Sequence, residues 1–535
     1  MPDQIPFDLG HVFRRAATGV LCSAALLAGA ATFPATAAND PLRGSVQLDQ
    51  PTVLGGGNTV VYAVVNFEGI DVDPGVTKER PPLNLSLVLD RSGSMEDEGK
   101  IEYLRRAAKL AVDRLGPKDT LSIVEYDDQI TLMWPARRVK NTGEVKRMID
   151  GLDPRGSTNL TGGMLRGVDE AKKALDGPAD EDGTITRVIL MSDGLANTGI
   201  TDRAEIARLV RGAKSDGIRI SAMGLGRDYD EDLMQAVAEN GGGRYYYIER
   251  PTQMARVFQE ELGSLFETCA RDVEIRFSGT AVIRKAEVVG YDDATGTKDT
   301  KRGLDDVFEG EKRSVLLRLE VATPSSGHVD LGQVTVNYKT AKGGEAKSFN
   351  QALAVDVTND KAAVARARNK DASAQAALAE SDRIQAEQVK LVQAGKHDEA
   401  KRNMAALAKD LEEKNRSLND ERLKRKIEAV NVENEQMTRA AASPEVQKDY
   451  LKSSKQRLYQ AKAGKRAGYS LQLGDKGIEV ERLQEALKQQ GAYKGPIDGV
   501  YDEDVKKAVE AYQRSNKMDA DGVAGAATMD KMGAY

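Results

Sequence analysis

The pattern of apolar and polar positions divides the chain into stretches of different period. Residues Leu85-Ser86-Leu87-Val88-Leu89 form a nearly unbroken apolar run that ends at Asp90. Such a run predicts a strand buried on both faces. From Leu83 to Thr268 the pattern alternates between strand and helix. Strands are predicted at Thr120–Tyr126, Gln129–Trp134, Arg187–Met191, Arg219–Leu225 and Arg244–Ile248. Helices are predicted at Lys100–Leu115, Glu144–Gly151, Gly162–Leu175, Arg203–Ser215, Glu231–Asn240 and Thr252–Phe266. In the first of these, Ile101, Leu104, Ala108, Ala111 and Leu115 share one face, and Gly116-Pro117 stop the helix. The alternation predicts a doubly wound α/β domain: a parallel sheet with helices on both faces.

From Arg271 to about Asn359 the period becomes two. Val273–Phe277, Val282–Tyr291, Ser314–Val321, Leu331–Tyr338 and Phe349–Val357 are expected strands of a β-sandwich. An earlier strand is expected at Asn58–Phe67. Residues 42–70 are too few for a core of their own, so they are expected to join the sandwich, with the α/β domain inserted between the two pieces.

From Asp360 to about Ala467 the chain is rich in Ala, Lys, Glu, Gln and Arg and reads as helical. Residues 394–400 form a helix–turn–helix junction without a second copy at fixed period. Met404, Leu407, Leu411 and Leu418 hold a heptad phase, with Ile427 and Val430 roughly in step, which suits a hairpin, a bundle or a coiled coil. The charged, Ala-rich composition suggests an exposed spacer, and a helix of roughly 30 residues would span about 45 Å. Residues 468–535 hold a small helical unit punctuated by Asp498-Gly499 and Asp521-Gly522, both strong turn formers.

Composition narrows the class. The 535 residues are 40% hydrophobic but only 5% aromatic, so several cores built from aliphatics are expected. The net charge is −6 with both signs interspersed, which leaves no nucleic-acid footprint. Arg14-Arg15, an apolar run from Ala16 to Ala31, and Ala35-Thr36-Ala37-Ala38 read as a signal peptide cleaved near Ala38. A twin-arginine signal, a lipoprotein at Cys22 and an uncleaved anchor are the alternatives. After residue 38 only Cys269 remains, so no internal disulfide is expected.

The candidate chemistry begins at Asp90. Ser92 and Ser94 follow it at spacings of two and four, on the loop leaving the buried strand. Open α/β sheets place their ligand crevice at that end of the strands. A carboxylate and two hydroxyls are hard oxygen ligands for a divalent cation. This Asp-x-Ser-Gly-Ser loop resembles the metal-ion-dependent adhesion site (MIDAS) of von Willebrand factor A (vWA) domains, whose fold is α/β and Rossmann-like. By that resemblance Thr158, in Gly156-Ser157-Thr158-Asn159, supplies a third hydroxyl, and Asp193, in Ser192-Asp193-Gly194, a second carboxylate. The implied metal ligands are Asp90, Ser92, Ser94, Thr158 and Asp193, holding Mg²⁺, Ca²⁺ or Mn²⁺. The implied partner is a protein offering a carboxylate to an open coordination position. Asp97 and Glu98 stand where integrin β-subunits place carboxylates for a second cation; a solvated acidic loop is the other reading.

The last unit resembles the small three-helix peptidoglycan-binding domain of bacterial envelope proteins, although Asp502-Glu503-Asp504 and Ala526 depart from its usual Gly-Pro and Pro. The whole resembles bacterial exported vWA proteins labelled calcium-activated-chloride-channel-like. No segment after residue 38 is apolar enough to span a bilayer, so the resemblance does not imply a channel here.

The expected organisation is 1–38 signal peptide, 39–82 N-terminal β segment, 83–268 vWA domain, 269–358 sandwich, 359–467 helical spacer and 468–535 peptidoglycan-binding-like domain. The chain has three His and no His-Glu-x-x-His pair or Gly-x-Ser-x-Gly elbow, so no catalytic residues are expected. The expected role is metal-dependent protein binding at the periplasm or cell wall. The alternatives are an accessory that recruits a wall enzyme to peptidoglycan, or a spacer whose metal only stabilises the fold.

Overall fold

The structure is a computed structural model that describes residues 40–70, 81–175, 184–226, 228–248, 251–291, 297–341, 344–462, 470–475 and 478–532. The expected signal peptide lies outside the described residues.

The chain opens with three strands, β1 (Leu42–Leu48), β2 (Thr52–Leu54) and β3 (Asn58–Gly69). An α/β domain follows: β4 (Leu83–Asp90), α1 (Lys100–Arg114), β5 (Thr120–Tyr126), β6 (Ile130–Arg138), α2 (Thr142–Asp150), α3 (Leu160–Leu175) and β7 (Ile185–Ser192). It continues with α4 (Arg203–Ser215), β8 (Arg219–Leu225), α5 (Glu231–Gly241), β9 (Gly242–Ile248) and α6 (Met254–Phe266). Its sheet runs β6-β5-β4-β7-β8-β9. All eight residues of β4 are buried, as their apolar run requires. Leu85, Leu87 and Leu89 face a core shared with α1, α2 and α6, while Val88 faces one shared with α3, α4 and α5. The sheet departs from the parallel expectation at β6, which pairs antiparallel with β5. Only residues 127–129 join those strands, too few for a parallel crossover. The connections leaving β4 and entering β7 run on opposite faces, so the topological switch point lies between their carboxyl ends.

The chain then returns to the strands it left, through β10 (Thr268–Gly279), β11 (Ile283–Val288), β12 (Thr300–Gly303), β13 (Val307–Phe308), β14 (Lys312–Ala322), β15 (Gly327–Thr340) and β16 (Ala346–Thr358). One sheet is β1-β3-β14-β11 and the other β12-β10-β15-β16-β2, with β13 beside β10. β3 therefore sits inside its sheet, between β1 and β14. Val61, Ala63, Val65 and Phe67 fill the core between the sheets with Ile275, Phe277, Leu317 and Val336. At the junction, Gly69 is needed for close approach: a Cβ there would lie 2.1 Å from Phe308 O and 2.7 Å from Cys269 Sγ. Below the α/β sheet, buried Arg187 sits 3.8 Å from Glu261 and 3.6 Å from Asp306, which ties the two domains together by charge.

The helical segment comprises α7 (Lys361–Ala367), α8 (Lys370–Gln393), α9 (His397–Leu418), α10 (Glu421–Ala440) and α11 (Pro444–Lys462). It is not an exposed arm. Met404, Leu411, Leu423, Val430, Met437 and Tyr450 close a bundle core. Ala372, Ala376 and Ala379 of α8 lie on Val64 and Leu316, covering the outer face of β3 and β14. At its far end α11 packs on β9, the edge strand of the α/β sheet. Small alanines let a helix approach a sheet closely, and the lysines that suggested solvent find acids on α5 instead. Lys452 lies 3.0 Å from Glu231, and Lys455 lies 3.1 Å from Glu231 and 2.5 Å from Asp232.

The last unit holds β17 (Ser470–Leu471), α12 (Ile478–Gln489), α13 (Glu503–Ser515), β18 (Ala524–Gly525) and α14 (Ala526–Met532). Two buried glutamines organise it. Gln484 donates to Asp498 Oδ1 and Val500 O, and accepts from the N–H groups of Asp498 and Gly499. Gln513 does the same for the second turn, donating to Asp521 Oδ1 and Val523 O and accepting from Gly522 N–H. Gly499 and Gly522 adopt φ of 61° and 67°, which favour glycine at both turns. Among the described residues no helix is long and apolar enough to cross a membrane.

Candidate metal site

The five residues read from three separate loops converge at the switch point. Asp90 ends β4 and is fully buried. Its Oδ1 accepts from the N–H of Ser92 at 2.8 Å, which folds the loop back over the strand end. Its Oδ2 accepts from Ser192 Oγ at 2.8 Å. The Tyr126 hydroxyl sits 3.3 Å from the same oxygen and 2.6 Å from Met191 O. Ser92 Oγ and Ser94 Oγ lie 3.2 Å apart, and Ser94 Oγ donates to Asp193 Oδ1 at 2.7 Å.

Thr158 joins them through its neighbours. A Cβ on Gly194 would lie 3.3 Å from Thr158 Oγ1 and 3.8 Å from Ser94 Oγ, so the three loops share one small space. Thr158 N–H donates to Asn197 Oδ1 at 3.1 Å, and Asn197 N–H returns a bond to Thr158 O at 3.3 Å. Backbone bonds from Gly93 to Gly156 O and from Arg155 to Arg91 O stitch the first loop to the second. Asp127, buried beside them, takes Arg91 at 3.2 Å and Arg155 at 2.7 Å. Arg91 also pairs with Glu125 at 3.0 Å, so both arginines are held by acids of this loop region.

Burial pushes the Asp90 carboxyl up to about 6, and the nearby charge of Asp193 adds to it; hydrogen bonds from Ser92 and Ser192 pull the other way. Two carboxylates held this close and this dry favour a cation between them. Thr158 Oγ1 has no hydrogen-bond partner among the described residues. Three hydroxyls and two carboxylates, one hydroxyl unpartnered, fit a hard divalent ion. Among the described residues no group of three or more His, Cys, Asp or Glu gathers as a metal centre, so the hydroxyls are essential to any donor set here. Glu96, Asp97 and Glu98 are all exposed.

Four participants were missed in the sequence. Ser192, Tyr126 and Asn197 orient the ligand candidates. The fourth is Lys100, the first residue of α1. Its ammonium lies 2.7 Å from Asp193 Oδ2 and 3.4 Å from Ser94 O, and the residue is only 8% exposed. The signal available was its spacing, six residues after Ser94; its place at the start of an amphipathic helix made it look like a solvated charge.

Residues 84–260 match the family described as von Willebrand factor type A domain, and residues 476–532 match the one described as putative peptidoglycan binding domain. The uncharacterized Escherichia coli protein YfbK is 29% identical over 218 residues, covering 40% of this chain and 37% of its own. An uncharacterized Synechocystis protein is 24% identical over 288 residues, covering 52% of this chain and 66% of its own. The chain thus spans less than two thirds of either relative. Inter-alpha-trypsin inhibitor heavy chain H4 of Bos taurus is 30% identical over 197 residues, 35% of this chain and 21% of that protein. In structure, a von Willebrand factor type A protein from Catenulispora acidiphila covers 73% of this chain and 91% of its own at TM-score 0.55 and 17% identity, a likeness of fold. Taken with the geometry above, the chain carries a von Willebrand factor type A domain and, at its C-terminal end, a domain of the putative peptidoglycan-binding family.

Proposed function

We propose that the protein is an exported, non-catalytic adhesion protein of the cell wall. It binds a protein ligand through a divalent cation at Asp90, Ser92, Ser94, Thr158 and Asp193, and holds peptidoglycan through its last domain. The observation that carries this reading is the convergence of three hydroxyls and two buried carboxylates at the switch point. Ser92, Ser94 and Thr158 would offer hydroxyl oxygens to Mg²⁺, Mn²⁺ or Ca²⁺. Asp90 and Asp193 would balance its charge, directly or through water. A bound cation would supply a Lewis-acidic position for an incoming carboxylate. Tyr126 and Ser192 orient Asp90, and Asn197 orients Thr158, so hydrogen bonds from neighbouring residues set the donor positions.

Among the described residues no histidine stands beside Ser92 to serve as its base. His328 lies on β15, paired with Asp356, and His397 begins α9. Export is supported by the charged and apolar pattern of residues 1–38.

Calorimetry on the full chain tests the site: Mg²⁺ or Mn²⁺ should bind once per chain, and Asp90→Ala should abolish the heat. Equal heats would refute the metal site. Co-sedimentation with purified sacculi tests the other end. Removing 468–535 should release the protein, while chelator should release only its protein ligand.

A further inference from the structure

Lys100 occupies a costly position. It is the first residue of α1, where the helix dipole is positive and disfavours an ammonium. It is also buried, which costs desolvation. Asp193 compensates both, at 2.7 Å, and Ser94 O adds a weaker contact at 3.4 Å. Gly226 lies beside it, where a Cβ would stand 3.7 Å from Lys100 Cε, in ordinary van der Waals contact. Both carboxylate oxygens of Asp193 are therefore engaged by the chain itself, Oδ1 by Ser94 Oγ and Oδ2 by Lys100. Arg91 pairs with Glu125 at 3.0 Å and Asp127 at 3.2 Å, and Arg155 with Asp127 at 2.7 Å, so these four charges cancel among themselves. The charged groups facing the donor cluster are thus Asp90, Asp193 and Lys100, with a sum of −1.

We infer that Lys100 is a resident cation that neutralises Asp193, so that the site holds a divalent ion loosely alone and firmly only with an anionic ligand. This rests on the metal reading above. A divalent ion brings the site from −1 to +1, and a carboxylate from the partner returns it to neutrality. Without the lysine, the ion alone would neutralise the site, and the demand for the partner's charge would fall. Lys100 is a positioning residue: it acts on the ion through Asp193 and through its own charge.

The test is metal titration of the full chain by calorimetry, with MnCl₂, in four forms: wild type, Lys100→Met, Lys100→Gln and Lys100→Arg. Removing the positive charge held against Asp193 should tighten Mn²⁺ binding roughly tenfold or more in Lys100→Met and Lys100→Gln. Lys100→Arg keeps the charge and should titrate like wild type. Lys100→Gln retains a donor toward Asp193, so it carries the test if the methionine variant misfolds. Sodium acetate, the carboxylate probe, should tighten Mn²⁺ binding to wild type relative to chloride at equal ionic strength. That gain should shrink in the uncharged variants. Wild type that binds Mn²⁺ no more weakly than the uncharged variants would overturn the role of Lys100 and leave the metal site standing. Wild type that binds neither Mn²⁺ nor Mg²⁺ would overturn the metal reading and this inference with it.

Discussion

The hydroxyl of Tyr459 accepts a hydrogen bond from the backbone N–H of Tyr245 at 3.2 Å, across 214 residues of sequence. The same hydroxyl donates to Gly243 O at 3.3 Å. Both backbone groups belong to β9, the outer strand of the vWA sheet, so one side chain of α11 closes an edge that would otherwise stand open. Tyr459→Phe should leave a buried N–H and C=O without a partner. Each such group costs about 1–3 kcal/mol. Urea unfolding should shift to lower midpoint, and the Tyr245 amide should exchange faster while amides of β4 hold. Unchanged exchange at Tyr245 would show that α11 does not close the edge in solution.

Acid should loosen α11 before it unfolds the sheet. Burial raises Glu231, but the charges of Lys452 and Lys455 outweigh it and hold the carboxyl below its usual value of 4.5. Burial raises Asp232 too, and Lys455 with Gln393 and Arg203 brings it below 3.8. A carboxyl depressed in the folded state stabilises above its unfolded pKa, and that stability is lost as pH falls through the folded value. The contribution is therefore present at neutral pH, begins to fall near 4.5 and is gone once both groups are protonated. Lys455→Met should lower stability at pH 7 and flatten this acid limb. Urea midpoints measured across the acid range in both forms decide it; parallel curves would count against the pairing.

The sandwich should not form from its later strands alone. β14 pairs with β3 from Lys312↔Glu68 to Ala322↔Asn58, and β3 supplies Val61, Ala63, Val65 and Phe67 to the core. A polypeptide of residues 268–358 should show no cooperative melt, and a linked segment 40–70 should restore one. A sharp transition in the short polypeptide would mean the later strands suffice.

The last domain should depend on Gln484 more than its size suggests. The side chain is fully buried and holds the Asp498-Gly499 turn by four hydrogen bonds. Gln484→Leu fits the volume but strands the turn's N–H groups, at about 2–4 kcal/mol for the pair. Scanning calorimetry of the full chain should show one transition moved down while that of the vWA domain stays. Sacculus binding should fail at the same temperature as the shifted transition.

Much of this molecule was legible along the chain because its logic there is local. An apolar run ending in Asp90 demands a buried strand, and the proposed cation site calls for hydroxyls and carboxylates at the loop behind it. Those residue types stood in order at Ser92, Ser94, Thr158 and Asp193, and folding brings them to one point. Period-two patterning likewise marked the sandwich, and the Asp-Gly pairs marked the turns of the last domain.

What tertiary structure alone decided is where charges go. Lys100 and the lysines of α11 have the composition of solvated faces, and no local period distinguishes a lysine in water from one against an acid brought from afar. Asp193 comes to Lys100 from 93 residues away, and Glu231 to Lys452 from 221. The alanines of α8 are equally silent, since a small apolar face suits either an exposed helix or close packing on a sheet. Burial chooses between these readings, and burial belongs to the assembled fold, where a charge loses its water and keeps its place only beside the opposite charge.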